Sequence, residues 1–291
     1  MREDALLARV GHRFPGGRSR VEPYVDWLVR DLVGAAADAG GALHPATALL
    51  AAQAGVGIGL EELFALFGSS SADGPVLGEW AVEFARPLRP GAEYAVTATV
   101  RDARRRAARS GVLDLVTVQI ELAGPDGPAH AAVRPTYVFP RRTAAPGAPP
   151  RAPAGAPARP LPPLSRTVDV AAMKTMAALL HDPNMIHLDP AVAAALGFGH
   201  RVVAQGPLTM GYVQAMLAGY AGGAAGVRTA RFRFAGAVFG GERVTAGGAV
   251  TAVDGDCLDC AVWLDVDREG GPVRAVTGTA RVAPPDRPVR P

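Results

Sequence analysis

Two segments of this chain, FARPLRPGAEYAVTATV from Phe84 and FAGAVFGGERVTAGGAV from Phe234, align at a constant offset of 150 residues. That duplication limits the chain to a fold built twice. Phe84 and Ala85 match Phe234 and Ala235, Gly91 matches Gly241, and Val100 matches Val250. Each copy reads as a strand, a glycine-containing turn and a second strand with alternating apolar residues, so a duplicated hairpin is the simplest expectation. Between the copies lies RRTAAPGAPPRAPAGAPARPLPP, residues 141–163, where prolines are too frequent for helix or sheet to persist. It is expected to link one module at 1–140 to a second at 164–285, leaving 286–291 as a tail.

Each half begins with helical sequence and ends in long alternating runs: Leu113 to Leu122 and Ala129 to Phe139 in the first, Asp256 to Val266 and Val273 to Val282 in the second. A long apolar helix followed by an antiparallel meander predicts an α+β module whose sheet wraps the helix. Two such modules joined edge to edge would form one continuous sheet carrying two central helices.

Composition narrows the function. Hydrophobic residues make up 49% of the chain and charged ones 20%, a composition that folds. The formal charge of +3 and pI near 9.2 do not point to nucleic acid. Lys174 is the only lysine, and the cluster Arg101, Arg104, Arg105, Arg106 and Arg109 lies between two strand-like runs without interleaved aromatics. A solvated hairpin is the plainer reading of that cluster, a patch for a polyanion or phosphorylated carrier the alternative. The N-terminal MREDALLARVGHRF lacks the apolar core of a secretory signal, which suggests a cytoplasmic protein. Residues 39–60 carry no charge, but His44, Pro45, Thr47, Gln53 and several glycines suit a buried helix better than a membrane span. Cys257 and Cys260 fall on a strand-like alternation that sends i and i+3 to opposite faces, giving one buried thiol and no metal or redox pair.

The chemistry concentrates in HDPNMIHLDPAVAAALGFGHRVVAQGPLTMGYV, from His181 to Val213. Asp189 and Pro190 suit the cap and first position of a short helix that ends before Gly197, so Asp189 is expected to cap it. The apolar run from Pro207 reads as a buried helix, and the free N–H groups near Gly206 could bind a carbonyl oxygen. Asp182 and His187 flank Asn184 where Pro183 forces a turn, and a carboxylate with an imidazole can hold a water and divide acid and base duties. His44, at a helix start with no acidic neighbour in sequence, is expected to be structural.

The run DPNMIH, followed by HLDPAVAAALGFG and VVAQGPLTMG, resembles the signature of the MaoC-like, (R)-specific enoyl-CoA hydratases and dehydratases. The resemblance preserves order and spacing over this stretch, and the repeat extends it to the double hot-dog members of that family. It implies that Asp182 and His187 are the catalytic pair, that Asn184 orders the loop, and that the Gly206 N–H holds the thioester carbonyl. It implies syn addition of water to a trans-2-enoyl thioester of CoA or of an acyl carrier protein, giving a (R)-3-hydroxyacyl product, or the reverse, with no metal or redox cofactor. Three positions depart from the family: His181 replaces glycine, Met185 replaces proline, and Gln205 replaces histidine. His181 would place a titratable group beside Asp182 or narrow the acyl channel. The first half lacks any Asp-x-Asn-x-x-His, so one site per chain is expected, with room for a long acyl group.

In this reading Asp182 deprotonates the water that attacks C3, His187 supplies the proton to C2, and Gly206 stabilises the enolate-like oxygen. A thioesterase on the same fold and a non-catalytic acyl-thioester-binding partner subunit are the rival readings. A metal site from His181, Asp182 and His187 is disfavoured because adjacent residues seldom point at one ion. Homodimerisation through apolar sheet edges is expected from the resemblance, and neither nucleic acid nor membrane is an expected partner.

Overall fold

The computed structural model describes residues 1–108, 111–141, 150–152 and 159–284. Arg109, most of the 141–163 linker and the 286–291 tail lie outside the described residues. The first module runs α1 (Glu3–Leu7), β1 (Gly17–Arg20), α2 (Pro23–Val33), α3 (Thr47–Gly55), α4 (Leu60–Leu66), β2 (Val76–Phe84), β3 (Glu93–Ala108), β4 (Gly111–Ala123) and β5 (Ala129–Pro140). The second runs β6 (Leu164–Thr167), α5 (Val170–Leu180), α6 (Pro190–Ala195), α7 (Gly206–Tyr220), β7 (Val227–Phe234), β8 (Arg243–Asp254), β9 (Cys257–Val266) and β10 (Val273–Val282).

All ten strands join one antiparallel sheet in the order β1-β3-β4-β5-β2-β7-β10-β9-β8-β6. The edge-to-edge union of two modules is thus as expected, made by β2 against β7 with Trp80 opposite Phe232 and Val82 opposite Ala230. Both aromatic rings are fully buried. The duplicated hairpin needs correction. β2 and β3 are not partners, because β4 and β5 lie between them and β2 pairs with β5. What is repeated is a strand and a crossing connection, closed by Gly91 and Gly241, both at positive φ. The likeness extends to the irregularities, since β3 bulges after Val100 and β8 after Val250. A bulge shifts the facing of every later residue on its strand. Before it Tyr94, Val96, Ala98 and Val100 face the core; beyond it Ala103 does.

Each half of the sheet curls around a helix that is apolar on nearly every side, α3 (TALLAAQAG) and α7 (GPLTMGYVQAMLAGY), as helices enclosed by protein must be. Gly211 allows α2 to close on α7, because a Cβ there would come within 2.6 Å of Val33. The uncharged stretch 39–60 folds into α3 and the start of α4, which turn 67° from each other. No single helix among the described residues is long and apolar enough to cross a membrane. The edge strands β1 (GRSR) and β6 (LSRT) are short and carry arginine, features that oppose edge-to-edge pairing, so the sheet edges are not the apolar surfaces anticipated for a dimer. Where described, the linker borders the sheet: Pro160 bridges to Ala249, Arg151 bridges to Val273, and Leu161 is buried. Cys260 is buried on β9 and Cys257 half-buried, and both are free thiols.

Candidate active site

Helix α5 ends in His181, the one described non-glycine residue at positive φ (49°). Glycine is the usual residue at such a helix end, because it meets no Cβ penalty there. This placement corrects the expectation for His181: as a left-handed cap its side chain is exposed and does not line the cavity described below. The chain then turns sharply. Asp182 Oδ1 accepts from Asn184 N–H at 3.0 Å, and Asn184 Oδ1 accepts from Ile186 N–H at 3.3 Å, starting a one-turn 3-10 helix over Met185–His187. The Asn184 amide donates to the Pro75 carbonyl at 3.0 Å, clamping this loop to the first module.

These turns bring His187 Nε2 to 3.4 Å from Asp182 Oδ2. His187 Nδ1 lies 2.6 Å from the Val203 carbonyl oxygen. A carbonyl only accepts, so Nδ1 carries the proton and the neutral ring turns the lone pair of Nε2 toward the carboxylate. Burial depresses the imidazole pKa below its ordinary 6.5, and the Asp182 charge and Val203 carbonyl oppose but do not cancel it. Asp189 caps α6 through the Ala191 N–H at 2.7 Å, as expected of a helix start.

Gly206 opens α7 with Pro207 behind it, and its N–H makes no hydrogen bond among the described residues. A Cβ at this position would come within 3.2 Å of the Phe234 ring and 3.4 Å of Leu77, so a side chain there would press on that ring by a few tenths of an ångström. Gln205 does not cap the helix. Its Nε2 donates to the Met173 carbonyl at 2.9 Å, tying α5 to α7, and its Oε1 is buried and unpaired. Asp182, Asn184, His187, Gln205 and Gly206 all line one cavity of about 500 Å³.

The lining residues come from both faces of the sheet and form two groups, an inner and an outer arm. The inner arm, under the sheet, is lined by Leu49 and Gln53 of α3, Leu60 and Phe64 of α4, and Tyr137 of β5. The other arm lies on the outer face. Leu113 and Leu115 alternate with buried Asp114 and Val116, and the ladder sets Arg106 beside Leu113 and Pro140, and Arg104 beside Leu115 and Val138. Arg105, one residue out of phase, faces inward and grips the fully buried Asp114 at 2.7 and 2.9 Å, with Arg141 adding a third contact at 2.6 Å. Burial alone would raise the Asp114 pKa, but the two guanidiniums overcome it and hold the carboxyl below its ordinary range. Of the arginine cluster, Arg105 is thus structural and Arg104 and Arg106 are exposed on the cavity wall, while Arg101 is exposed and does not line it. The sequence contained that signal in the alternation of 104, 105 and 106, but the bulge that sets its phase was not legible. Gln53 and Tyr137 were also missed as lining residues; the hint was a glutamine inside an otherwise Ala/Leu run.

Residues 152–257 match the family model described as MaoC like domain. Among solved structures, a MaoC-like dehydratase from Phytophthora capsici superposes with a TM-score of 0.69 at 19% identity, covering 100% of each chain. A Mycobacterium tuberculosis protein described as having a double hotdog fold gives 0.66 at 12% identity, over 94% of this chain and 96% of that one. A Lactobacillus plantarum protein named as an oleoyl thioesterase gives 0.60 at 12% identity, over 97% and 100%. At these identities the likeness is one of fold. No curated protein matches the chain.

Proposed function

We propose, from the premise that this chain is a double hot-dog protein whose residues 152–257 are a MaoC-like domain, that it is a hydro-lyase interconverting trans-2-enoyl and (R)-3-hydroxyacyl thioesters. The observation that carries this reading is the 3.4 Å approach of His187 Nε2 to Asp182 Oδ2 in the same cavity as the unbonded Gly206 N–H. The tautomer supports a definite division of roles. His187 Nε2 takes a proton from a water held between it and Asp182 as the water oxygen bonds to C3. The C2=C3 electron pair shifts toward the thioester, whose oxygen gains charge and accepts from Gly206 N–H. The imidazolium, stabilised by the Asp182 carboxylate, returns that proton to C2, so both parts of one water add. This order differs from the sequence expectation, in which Asp182 was the base and His187 the acid; it follows from the neutral ring, which has only a lone pair at Nε2 when Nδ1–H is donated to Val203.

The outer arm suits the carrier. Arg104 and Arg106 are exposed, flank Leu113 and Leu115, and would receive the phosphates of a CoA or phosphopantetheine arm while the inner arm takes the acyl chain. A second reading, thioester hydrolysis, is favoured by the likeness to the oleoyl thioesterase fold; there the same water attacks the carbonyl carbon. Incubation with crotonyl-CoA and a longer trans-2-enoyl-CoA separates the two. Loss of the enoyl absorbance without free thiol is the expected result; thiol release would establish hydrolysis, and no change in either would overturn both.

A further inference from the structure

Gln53 has no role in the proton transfers, yet it faces the inner arm beside Leu49, Leu60 and Phe64, where an alkyl chain would want only apolar walls. Its Oε1 is buried with no hydrogen-bond partner among the described residues. The rest of its amide adjoins the hydroxyl of Tyr137, a β5 side chain that lines the same arm close enough to feel the Asp182 charge. Burial, which outweighs the Gln53 contact, pushes the Tyr137 hydroxyl up to about 12, so it keeps its proton and remains a donor at any working pH. A buried amide oxygen left unpaired destabilises the fold, and a leucine would line the arm without that cost.

We propose that Gln53 and Tyr137 form a recognition point for a hydroxyl group borne on the acyl chain of the substrate. A hydroxyl both donates and accepts: its proton satisfies Gln53 Oε1 and its oxygen accepts from the Tyr137 O–H. A carbonyl would answer Tyr137 alone, and a methylene neither. A site built this way selects its substrate chiefly by leaving its own groups unpaired when the partner atom is missing. The inference rests on the thioester reading of the cavity and names the acyl class within it. It also gives the first module a part in substrate choice, since both residues belong to that module.

The test compares trans-2-enoyl thioesters of equal length, one plain and the others bearing a hydroxyl, or a carbonyl, at successive positions along the chain. At one position the hydroxylated substrate should exceed the plain one in kcat/KM by on the order of 10-fold or more. The carbonyl analogue should fall between. Gln53→Leu should abolish or invert the preference, read as the ratio of kcat/KM for the two substrates, and Tyr137→Phe, which deletes one oxygen, should halve its logarithm and carries the test if the first variant misfolds. A wild-type enzyme that prefers the plain chain at every position overturns the inference and leaves the hydro-lyase reading intact. If no enoyl thioester turns over, that reading fails, and equilibrium binding of matched saturated thioesters, with and without the hydroxyl, decides this inference by the same ratio.

Discussion

The two modules share one frame and differ at the places where chemistry would occur. Helices α2 and α5 both end in a left-handed residue, Gly34 in the first module and His181 in the second. The next residue is Ala35 in one and Asp182 in the other. Aligning the central helices in sequence on the glutamine each carries, Gln53 and Gln214, sets Pro45 opposite Gly206 and His44 opposite Gln205. The Gly206 N–H has no partner among the described residues, whereas a proline has no N–H to offer. The space around His44 serves stability instead. The His44 N–H donates to Asp26 at 2.7 Å, Arg30 grips the other Asp26 oxygen at 2.6 Å and the Ala42 carbonyl at 2.7 Å, and His44 Nδ1 accepts from Ala46 N–H. The sheet and helix are common property; what distinguishes the modules is one carboxylate, one imidazole and one backbone N–H.

The contrast is tested most severely at the dyad. Asp182→Asn and His187→Gln should each lower kcat/KM by about 100- to 10,000-fold with the fold retained by circular dichroism. Grafting the carboxylate into the first module, Ala35→Asp in an Asp182→Asn background, should restore nothing, since Pro45 still lacks the N–H; recovered turnover would break the comparison. Importing the first module's proline is the next test. Gly206→Pro should cost about 100- to 1,000-fold in kcat by removing the donor. Gln205 is already extended (φ −61°, ψ 140°), as the residue before a proline must be. Gly206→Ala keeps the N–H while adding the crowding against Phe234, so equal losses in the two variants would assign the effect to packing.

How much of this was legible varies with the distance over which the physics acts. Periodicity and turn chemistry are local, and they located the strands from Leu113, Ala129 and Val273 and the helix after Gly206 almost to the residue. The repeat announced two modules, but the matching bulges after Val100 and Val250 came only from the structure. Strand pairing is not local, so the adjacency of β2 to β5 and β7 could not be read from a pattern that looks like a hairpin. The dyad loop was legible because its turns are made by its own side chains, Asp182 and Asn184 bonding the backbone two residues on. The remaining lining residues were not, because Asn184 meeting Pro75 and Tyr137 reaching the cavity depend on the docking of distant segments.

Acidification should distinguish the modules by a smaller effect. In the first, burial above all, then the Arg30 charge, lowers the His44 pKa from 6.5 to about 3. The unfolded chain therefore binds a proton below pH 6.5 that the folded chain refuses until about pH 3, so the stability held by neutral His44 is complete above 6.5 and lost as pH falls through this window. Its share of the slope is up to about 1.4 kcal/mol per pH unit, or tenfold in the folding constant. His44→Asn should flatten urea-derived stability against pH across that window. In the second module the depressed His187 pKa puts the acid limb of kcat/KM below pH 6.5, since only the neutral ring can accept a proton. Asp182→Asn removes the charge that opposes the depression, so any residual activity should show that limb at still lower pH.

The gentlest test asks whether the first module contributes binding alone. Arg104 and Arg106 are exposed, so a solvent-screened contact with phosphate is worth little each, and their joint replacement by serine should raise KM for an enoyl-CoA by about 3- to 10-fold. The rise should shrink with added salt and vanish for the matching enoyl-pantetheine, which has no phosphate. Because both side chains sit on the outer face, away from the inward pair of Arg105 and Asp114, the double variant should keep its fold and its kcat. A fall in kcat at unchanged KM would mean that the first module shapes the reacting geometry as well as holding the carrier, and the division of labour drawn from Pro45 and Gly206 would no longer separate the two halves.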